Sequence, residues 1–187
     1  MKRFMFLVLL LCLASMAFAD TQVIDFEQQA AYTQITNQYA GLTFSNALQL
    51  VAPSYDYFDY PPHSGFGVIT NDPDDPIGVG LYPNVESVGG WYTDPNGVTV
   101  TAYDQYGNVL DMFSGGAVYG SNAWFSVSSA GAPIASITIS DDLGDPDGVD
   151  SLTVDDLTIT TPEPGSLALL GSGLAMALGT LRRKIKA

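Results

Sequence analysis

Short runs in which apolar and polar residues alternate fill the middle of the chain. The valines and threonines of residues 98–103 alternate in this way, and residues 137–139 and 157–159 repeat the pattern. The runs predict strands at residues 22–26, 42–45, 67–70, 77–81, 85–92, 98–103, 109–114, 123–128, 134–140 and 152–160. Many short strands at this spacing predict an all-β fold, an antiparallel β-sandwich or jelly roll.

Turn-forming residues separate the predicted strands. Asp-Pro-Asn-Gly occupies 94–97, and further glycine-containing turns occur at 105–108 and 115–116. Both tryptophans, Trp91 and Trp124, fall inside strand patterns, and we therefore expect them to lie in the core.

Residues 1–19 have the three parts of a secretory signal peptide. Two basic residues open the segment, residues 4–14 are apolar throughout, and residues 17–19 read Ala-Phe-Ala, the pattern that signal peptidase cleaves. We predict cleavage between Ala19 and Asp20. The alternative is an uncleaved anchor, but the apolar run is too short to span a hydrocarbon core of about 30 Å.

Residues 165–181 are apolar or small throughout, and the basic tail 182–187 follows directly. As a helix rising 1.5 Å per residue, the segment would cover about 25 Å, a little short of a bilayer core, and the flanking basic side chains can reach the interface. We predict a transmembrane helix whose basic end stays in the cytoplasm. The alternative, a buried amphipathic helix, would need a polar face that this segment lacks.

The tripeptide Pro162-Glu163-Pro164 stands immediately before this helix. Its prolines cannot continue a helix, so Glu163 should lie on an extended segment that a protease can reach. The tripeptide, the glycine-rich apolar helix and the basic end together resemble the PEP-CTERM sorting signal, over residues 161–187. This resemblance implies recognition by exosortase, a transpeptidase-like membrane protease of Gram-negative bacteria that make exopolysaccharide. It also implies transient residence in the inner membrane, then display at the cell surface or release.

Charge is divided sharply along the chain. All six Lys and Arg residues lie in the two ends, whereas all twenty Asp and Glu residues lie between residues 20 and 163. With His63 neutral, this span has a formal charge of −20, and it should repel nucleic acid and anionic membranes. Its carboxylates must be solvated, hydrogen-bonded or neutralised by a cation. The single cysteine, Cys12, leaves with the signal peptide, so no disulfide can form in the mature protein.

Residues 20–160 are enough for one sandwich domain. Residues 98–114 resemble the central hairpin of galactose-binding-like jelly-roll domains. The opening Ile-Asp-Phe-Glu at 24–27 and the closing Val-Asp-Asp-Leu-Thr-Ile at 154–159 resemble the same family. The resemblance implies that the first and last strands pair and that a cation lies near them.

The best candidate metal site is the acidic segment 141–150. Its carboxylates belong to Asp141, Asp142, Asp145, Asp147 and Asp150. Alternate carboxylates beside Gly148, which permits a sharp turn, suit Ca²⁺, and the absence of His and Cys nearby disfavours Zn²⁺ and Cu²⁺. Two alternatives stay open: a solvated acidic loop, and a cation that joins the domain ends through Glu27 and Asp155 or Asp156.

Aromatic and acidic residues interleave in residues 54–63. Aromatic rings can stack on the C–H faces of sugars while carboxylates accept hydrogen bonds from hydroxyl groups. The candidate ligand contacts are Tyr55, Tyr57, Asp59 and Tyr60. The alternative is a loop that folds over one open end of the sandwich and is anchored by its rings.

The sequence gives little support for an enzyme. His63 is the only histidine, and the mature domain has no cysteine or lysine that could serve as an activated nucleophile. The sequence therefore predicts an exported, exosortase-sorted, non-catalytic β-sandwich that calcium stabilises and that associates with exopolysaccharide matrix. A carbohydrate-binding module using residues 55–60 is the alternative, and a secreted hydrolase is a third hypothesis.

Overall fold

The computed structural model describes residues 20–71, 76–141, 152–162 and 173. Residues 21–161 form one compact unit, and residues 1–20 and 162–187 are grouped in another. The predicted signal peptide and almost all of the predicted helix 165–181 lie outside the described residues. Within the described residues, no helix has the length and apolar character needed to cross a membrane.

The described part of residues 21–161 is built from β-strands. They are β1 (Thr21–Ile24), β2 (Gln34–Ile35), β3 (Thr43–Ser45), β4 (Ala47–Val51), β5 (Gly67–Asn71), β6 (Ile77–Val85), β7 (Ser87–Asp94), β8 (Val98–Tyr103), β9 (Val109–Gly115), β10 (Val118–Ser128), β11 (Ile134–Asp141) and β12 (Thr153–Thr160). All the pairings among them are antiparallel. The predicted all-β, antiparallel fold is thus confirmed, whereas β2 and β4 were not predicted.

The strands form two sheets that face each other across one core. The seven-stranded sheet has the order β10-β7-β12-β5-β4-β2, with β1 also paired to β12, and the five-stranded sheet has the order β3-β6-β11-β8-β9. The first and last strands pair from Thr21 opposite Thr160 to Ile24 opposite Leu157, as expected. The expected hairpin within residues 98–114 is formed by β8 and β9.

Alternation along each strand decides which side chains fill the core. In β11, Ile137 and Ile139 are fully buried while Thr138 between them is partly exposed, because successive side chains of a strand point to opposite faces. The other sheet contributes Val88, Phe125 and Leu157 among its fully buried residues. The same alternation leaves the opposite face of β7, β10 and β12 directed away from the core, and the candidate site lies there.

Candidate functional site

A row of three residues crosses the outer face of the seven-stranded sheet. Trp124 of β10 lies opposite Trp91 of β7, and Trp91 lies opposite Asp155 of β12. Their strand neighbours Phe125 and Tyr92 point into the core, so the three residues of the row point outward.

The two tryptophans have a fixed mutual geometry. Their rings meet edge to face, with centroids 5.4 Å apart. Trp124 lies over Gly89, where an added Cβ would come 2.3 Å from its Cζ2 atom, so only glycine lets the indole lie this close to the sheet. Trp124 is nevertheless 42% exposed. The expectation that both tryptophans belong to the core is therefore wrong: they lie on the outer face, because alternation separates two faces without telling which one is covered.

His63 covers part of this row. Its imidazole stacks on Trp91 with ring centroids 4.0 Å apart and planes 7° from parallel. Its Nδ1 lies 2.7 Å from a carboxylate oxygen of Asp156, an ion pair when the ring is protonated. The contact fixes the plane of the ring, so one face of Trp91 is closed and Trp124 is the open aromatic surface.

An irregularity in β12 brings two consecutive aspartates to the same loop. The pairing of β12 with β7 shifts register between Asp155 and Thr158, and Asp156 has a φ of 48°. In a regular strand the two side chains would point to opposite faces, and a bulge of this kind redirects one of them. Asp155 accepts a hydrogen bond from the Ser64 amide at 2.8 Å, and Asp156 accepts one from the Ser64 hydroxyl at 2.9 Å.

Asp155 is only 1% exposed. Burial, together with the nearby Asp156 carboxylate, raises the pKa of its carboxyl group to about 6, although hydrogen bonds from backbone N–H groups such as that of Ser64 oppose the rise. A carboxylate buried beside a second carboxylate is costly unless hydrogen-bonded. The Ser64 contact therefore stabilises both the loop and the charged form of Asp155.

Two further contacts hold the loop 52–66, which connects β4 to β5. At its end, Glu27 accepts hydrogen bonds from the backbone N–H groups of Phe66 and Gly67 at 2.8 and 2.7 Å. In its middle, Asp59 accepts a hydrogen bond from the hydroxyl of Tyr119. The loop is thus tied to β10, to β12 and to the residues after β1, and it lies beside the tryptophan row.

The predicted ligand residues of this loop take different positions. The hydroxyl of Tyr55 is buried without a hydrogen-bond partner among the described residues, and burial, then the Asp155 and Glu27 carboxylates, raise its pKa. Tyr57 is half-buried and packs on the ring of Phe58 at 4.3 Å. Tyr60 is half-buried and meets Tyr119 edge to face at 5.8 Å. Asp59 is held by the same Tyr119, so Asp59 and Tyr60 lie against the start of β10, whereas the hydroxyl of Tyr55 faces inward.

The calcium predictions fall largely outside the described residues, which omit 142–151. Of the acidic segment, Asp141 is described, and it accepts a hydrogen bond from the Asn96 side chain at 3.3 Å. In the described part of the chain, no group of three or more His, Cys, Asp or Glu side chains could hold a metal ion. Glu27 and Asp156, the alternative ligands, serve there as acceptors for the loop. Calcium binding stays a prediction.

Sequence reasoning missed the tryptophan row and the role of His63. Trp91 and Asp155 meet only through strand pairing, and His63 and Asp156 are 93 positions apart. One sequence signal was present: Gly89-Gly90 precedes Trp91 in a strand, and glycine inside a strand marks a close approach by another group.

Comparison with known proteins adds findings of two kinds. The family described as the PEP-CTERM protein-sorting motif matches residues 160–184. No curated protein matches the chain.

Three solved structures illustrate the likeness of the folded part. A family 29 carbohydrate-binding module from Piromyces equi has 9% identity and a TM-score of 0.47, over 76% of this chain and 91% of that chain. A second structure of a family 29 module has 12% identity and a TM-score of 0.46, over 78% and 90%. A variant of such a module complexed with cellulohexaose has 12% identity and a TM-score of 0.47, over 77% and 92%. Identities this low carry no information about a ligand.

The match at residues 160–184 contains the Pro162-Glu163-Pro164 tripeptide that the sequence singled out. It confirms the predicted resemblance, and it marks the chain as a secreted protein that exosortase processing sorts to the cell surface. The chain is thus an antiparallel β-sandwich that carries a PEP-CTERM protein-sorting motif at residues 160–184.

Proposed function

We propose that the domain is a non-catalytic polysaccharide-binding module that acts outside the cell, in contact with the extracellular matrix. The observation that carries the proposal is the fixed, 42% exposed indole of Trp124 beside Trp91. A large aromatic ring left open to water costs free energy, and such rings are typical of binding surfaces. Gly89 beneath the ring leaves the space in which the indole lies close against the sheet.

The chemistry of the surface fits a sugar. The ring face of Trp124 offers an apolar area for the C–H side of a pyranose. Exposed hydroxyl groups stand on the same side of β10, at Ser126 and Ser128. The loop 52–66, whose His63 stacks on Trp91, also carries Asp59 and the exposed ring of Phe58. Apolar area with a few hydrogen-bonding groups is the composition expected of a small-molecule site.

The polysaccharide proposal refines the sequence prediction, which put the sugar on residues 55–60. Those residues belong to the loop 52–66, which reaches the tryptophan row through His63, and Trp124 offers the open ring. The sorting motif would bring this face to the cell surface, where extracellular polysaccharide is available. The proposal includes that the domain binds the polysaccharide without hydrolysing it.

The first test is affinity electrophoresis of the full chain, in mild neutral detergent, through native gels that contain single polysaccharides. The panel includes hydroxyethylcellulose, galactomannan and β-1,3-glucan. We expect retardation by at least one of them, with no reducing sugar released during long incubation. If no polymer retards the chain, the binding proposal is wrong, and release of sugars would contradict the non-catalytic part.

Calcium binding by the segment 141–150 is a separate proposal, supported by its five carboxylates and two glycines. Removal of a bound ion lowers the stability of the folded state by mass action. We expect the melting temperature of the full chain to fall by several degrees in excess chelator and to recover on adding Ca²⁺ but not Mg²⁺. A melt that is the same in calcium and in chelator would contradict the proposal.

A further inference from the structure

We propose that the tryptophan row binds uncharged polysaccharides and excludes acidic ones. The inference rests on the proposed function, and it names the class of ligand that the face can take. It follows from the charges that border the row and from the kind of hydrogen bonds they can make.

Carboxylates border the row on the sides formed by β12 and by the loop 52–66. On β12 they belong to Asp155 and Asp156, while in the loop Asp56 and Asp59 lie together near Tyr119 of β10, the strand that also holds Trp124. Asp155 lies next to Trp91 in register, and Asp59 accepts a hydrogen bond from Tyr119, which precedes Trp124 in β10. A ligand that stacks on Trp124 would therefore lie close to several negative charges.

Between residues 20 and 163 the sequence has no Lys or Arg to balance these charges. Every Lys and Arg lies at residues 2–3 or 182–186, and the span from residue 20 to residue 163 has a formal charge of −20. His63 is the only histidine, and its Nδ1 already faces Asp156 at 2.7 Å. Because opposite charges raise local ligand concentration and like charges lower it, an acidic polymer meets repulsion from the whole domain as well as at the row.

The hydrogen-bonding chemistry of the carboxylates also favours uncharged ligands over acidic ones. An ionised carboxylate can only accept hydrogen bonds. The hydroxyl groups of a neutral sugar can donate to Asp56 or Asp59, whereas the carboxylate of a uronic acid can only accept and would face another acceptor. A ligand carboxylate left without a partner at the binding surface weakens binding of the acidic polymer, and such unpaired charges are one way in which proteins exclude a competing ligand.

The test compares polymers that share a backbone and differ in whether their substituents carry a charge. The pairs are hydroxyethylcellulose with carboxymethylcellulose, and galactomannan and β-1,3-glucan each with its carboxymethylated form. Binding of the full chain to beads of each polymer is measured in chelator, so that no divalent ion bridges carboxylates, at low and at high sodium chloride. We expect at least tenfold weaker binding to the charged member of a pair at low salt, and a smaller difference at high salt, because salt screens exposed charges beyond about 8 Å at physiological ionic strength.

Two charge variants distinguish repulsion near the row from repulsion by the overall charge of the domain. Asp56→Lys places a cation in the loop 52–66, at an exposed position on the side of the sheet that carries the row, and should raise the affinity for the carboxymethylated polymer severalfold. Glu86→Lys makes the same change of charge at an exposed position between β6 and β7, and its effect should be smaller. Equal effects of the two variants would mean that only the overall charge of the domain acts, and would overturn the assignment of exclusion to the row.

Two further outcomes would separate a failure of the inference from a failure of the proposed function. Equal or tighter binding of the charged polymers at low salt would overturn the inference, while the proposed function would stand if Trp124→Ala abolished that binding. If no polymer of either kind binds, the proposed function fails and the inference fails with it.

Discussion

Trp124→Ala is expected to reduce the affinity for any polysaccharide that retains the wild-type chain by at least thirtyfold. Truncation of a central aromatic contact typically costs about 2 kcal/mol or more of binding free energy, which corresponds to roughly thirtyfold in Kd. Trp124 is the open ring of the row, since His63 closes one face of Trp91 at 4.0 Å. The loss should be seen both in affinity electrophoresis and in bead binding.

The same change should leave the fold intact. Trp124 is 42% exposed and lies on the outer face, over Gly89, so its removal opens no cavity in the core, and we expect the melting temperature to change by about 3 °C or less. Tyr106→Ala is the matched control, because Tyr106 is an 80% exposed aromatic residue in the turn between β8 and β9, on the other sheet. Unchanged binding by Trp124→Ala, or equal loss in both variants, would contradict the assignment of Trp124 as the binding surface.

Gly67→Ala is expected to destabilise the domain by about 3 kcal/mol. A Cβ at this position would lie 2.3 Å from the carbonyl oxygen of Phe26 and 3.0 Å from Nε2 of Gln49. The first of these is a backbone atom, which cannot rotate away, and the side chain of Gln49 is itself bonded to the same carbonyl at 2.8 Å. Overpacking of this kind costs 1–3 kcal/mol and occasionally more. The melting temperature should fall by roughly 10 °C.

The position of Gly67 makes this variant informative about the site as well. Its N–H group donates to Glu27, one of the ties of the loop 52–66, so displacement of Gly67 should loosen the loop and weaken polysaccharide binding. Gly131→Ala is the control, since a Cβ there meets nothing within 4 Å. A stable Gly67→Ala protein with wild-type affinity would show that the close packing of Phe26, Gln49 and Gly67 does not hold the loop.

Much of the fold could be predicted because its cause is local. The strand β8 has the predicted bounds, since Val98 and Val100 alternate with threonines and a glycine turn follows. The strand β4 was not predicted because its small and polar residues, and not its leucines, point into the core. Its fully buried positions are Ala47 and Gln49, while Leu48 and Leu50 are only partly buried. Gln49 can be buried because its amide donates to the Phe26 carbonyl, a partner 23 positions away that no local pattern reveals.

The candidate site was only partly predictable, because it too depends on contacts between residues far apart in the sequence. The sequence drew attention to the aromatic and acidic residues at 54–63, and the structure places that loop beside the row. It did not identify Trp124 as exposed, nor His63 as the ring that covers Trp91. Those outcomes depend on which face of β7 and β10 the second sheet covers, and on a bulge that turns Asp156 toward the loop.

The sequence by itself determined the features that are linear or local: the sorting tripeptide with its apolar and basic continuation, the separation of acidic from basic residues, and the alternation that makes strands. These need only neighbouring residues or a simple count of charge. Only the tertiary structure decided which residues form the site. Trp124, Trp91 and Asp155 share a row through strand pairing, and His63 reaches Asp156 across 93 positions, because contacts between distant segments arise only when the two sheets pack and the loop closes on them.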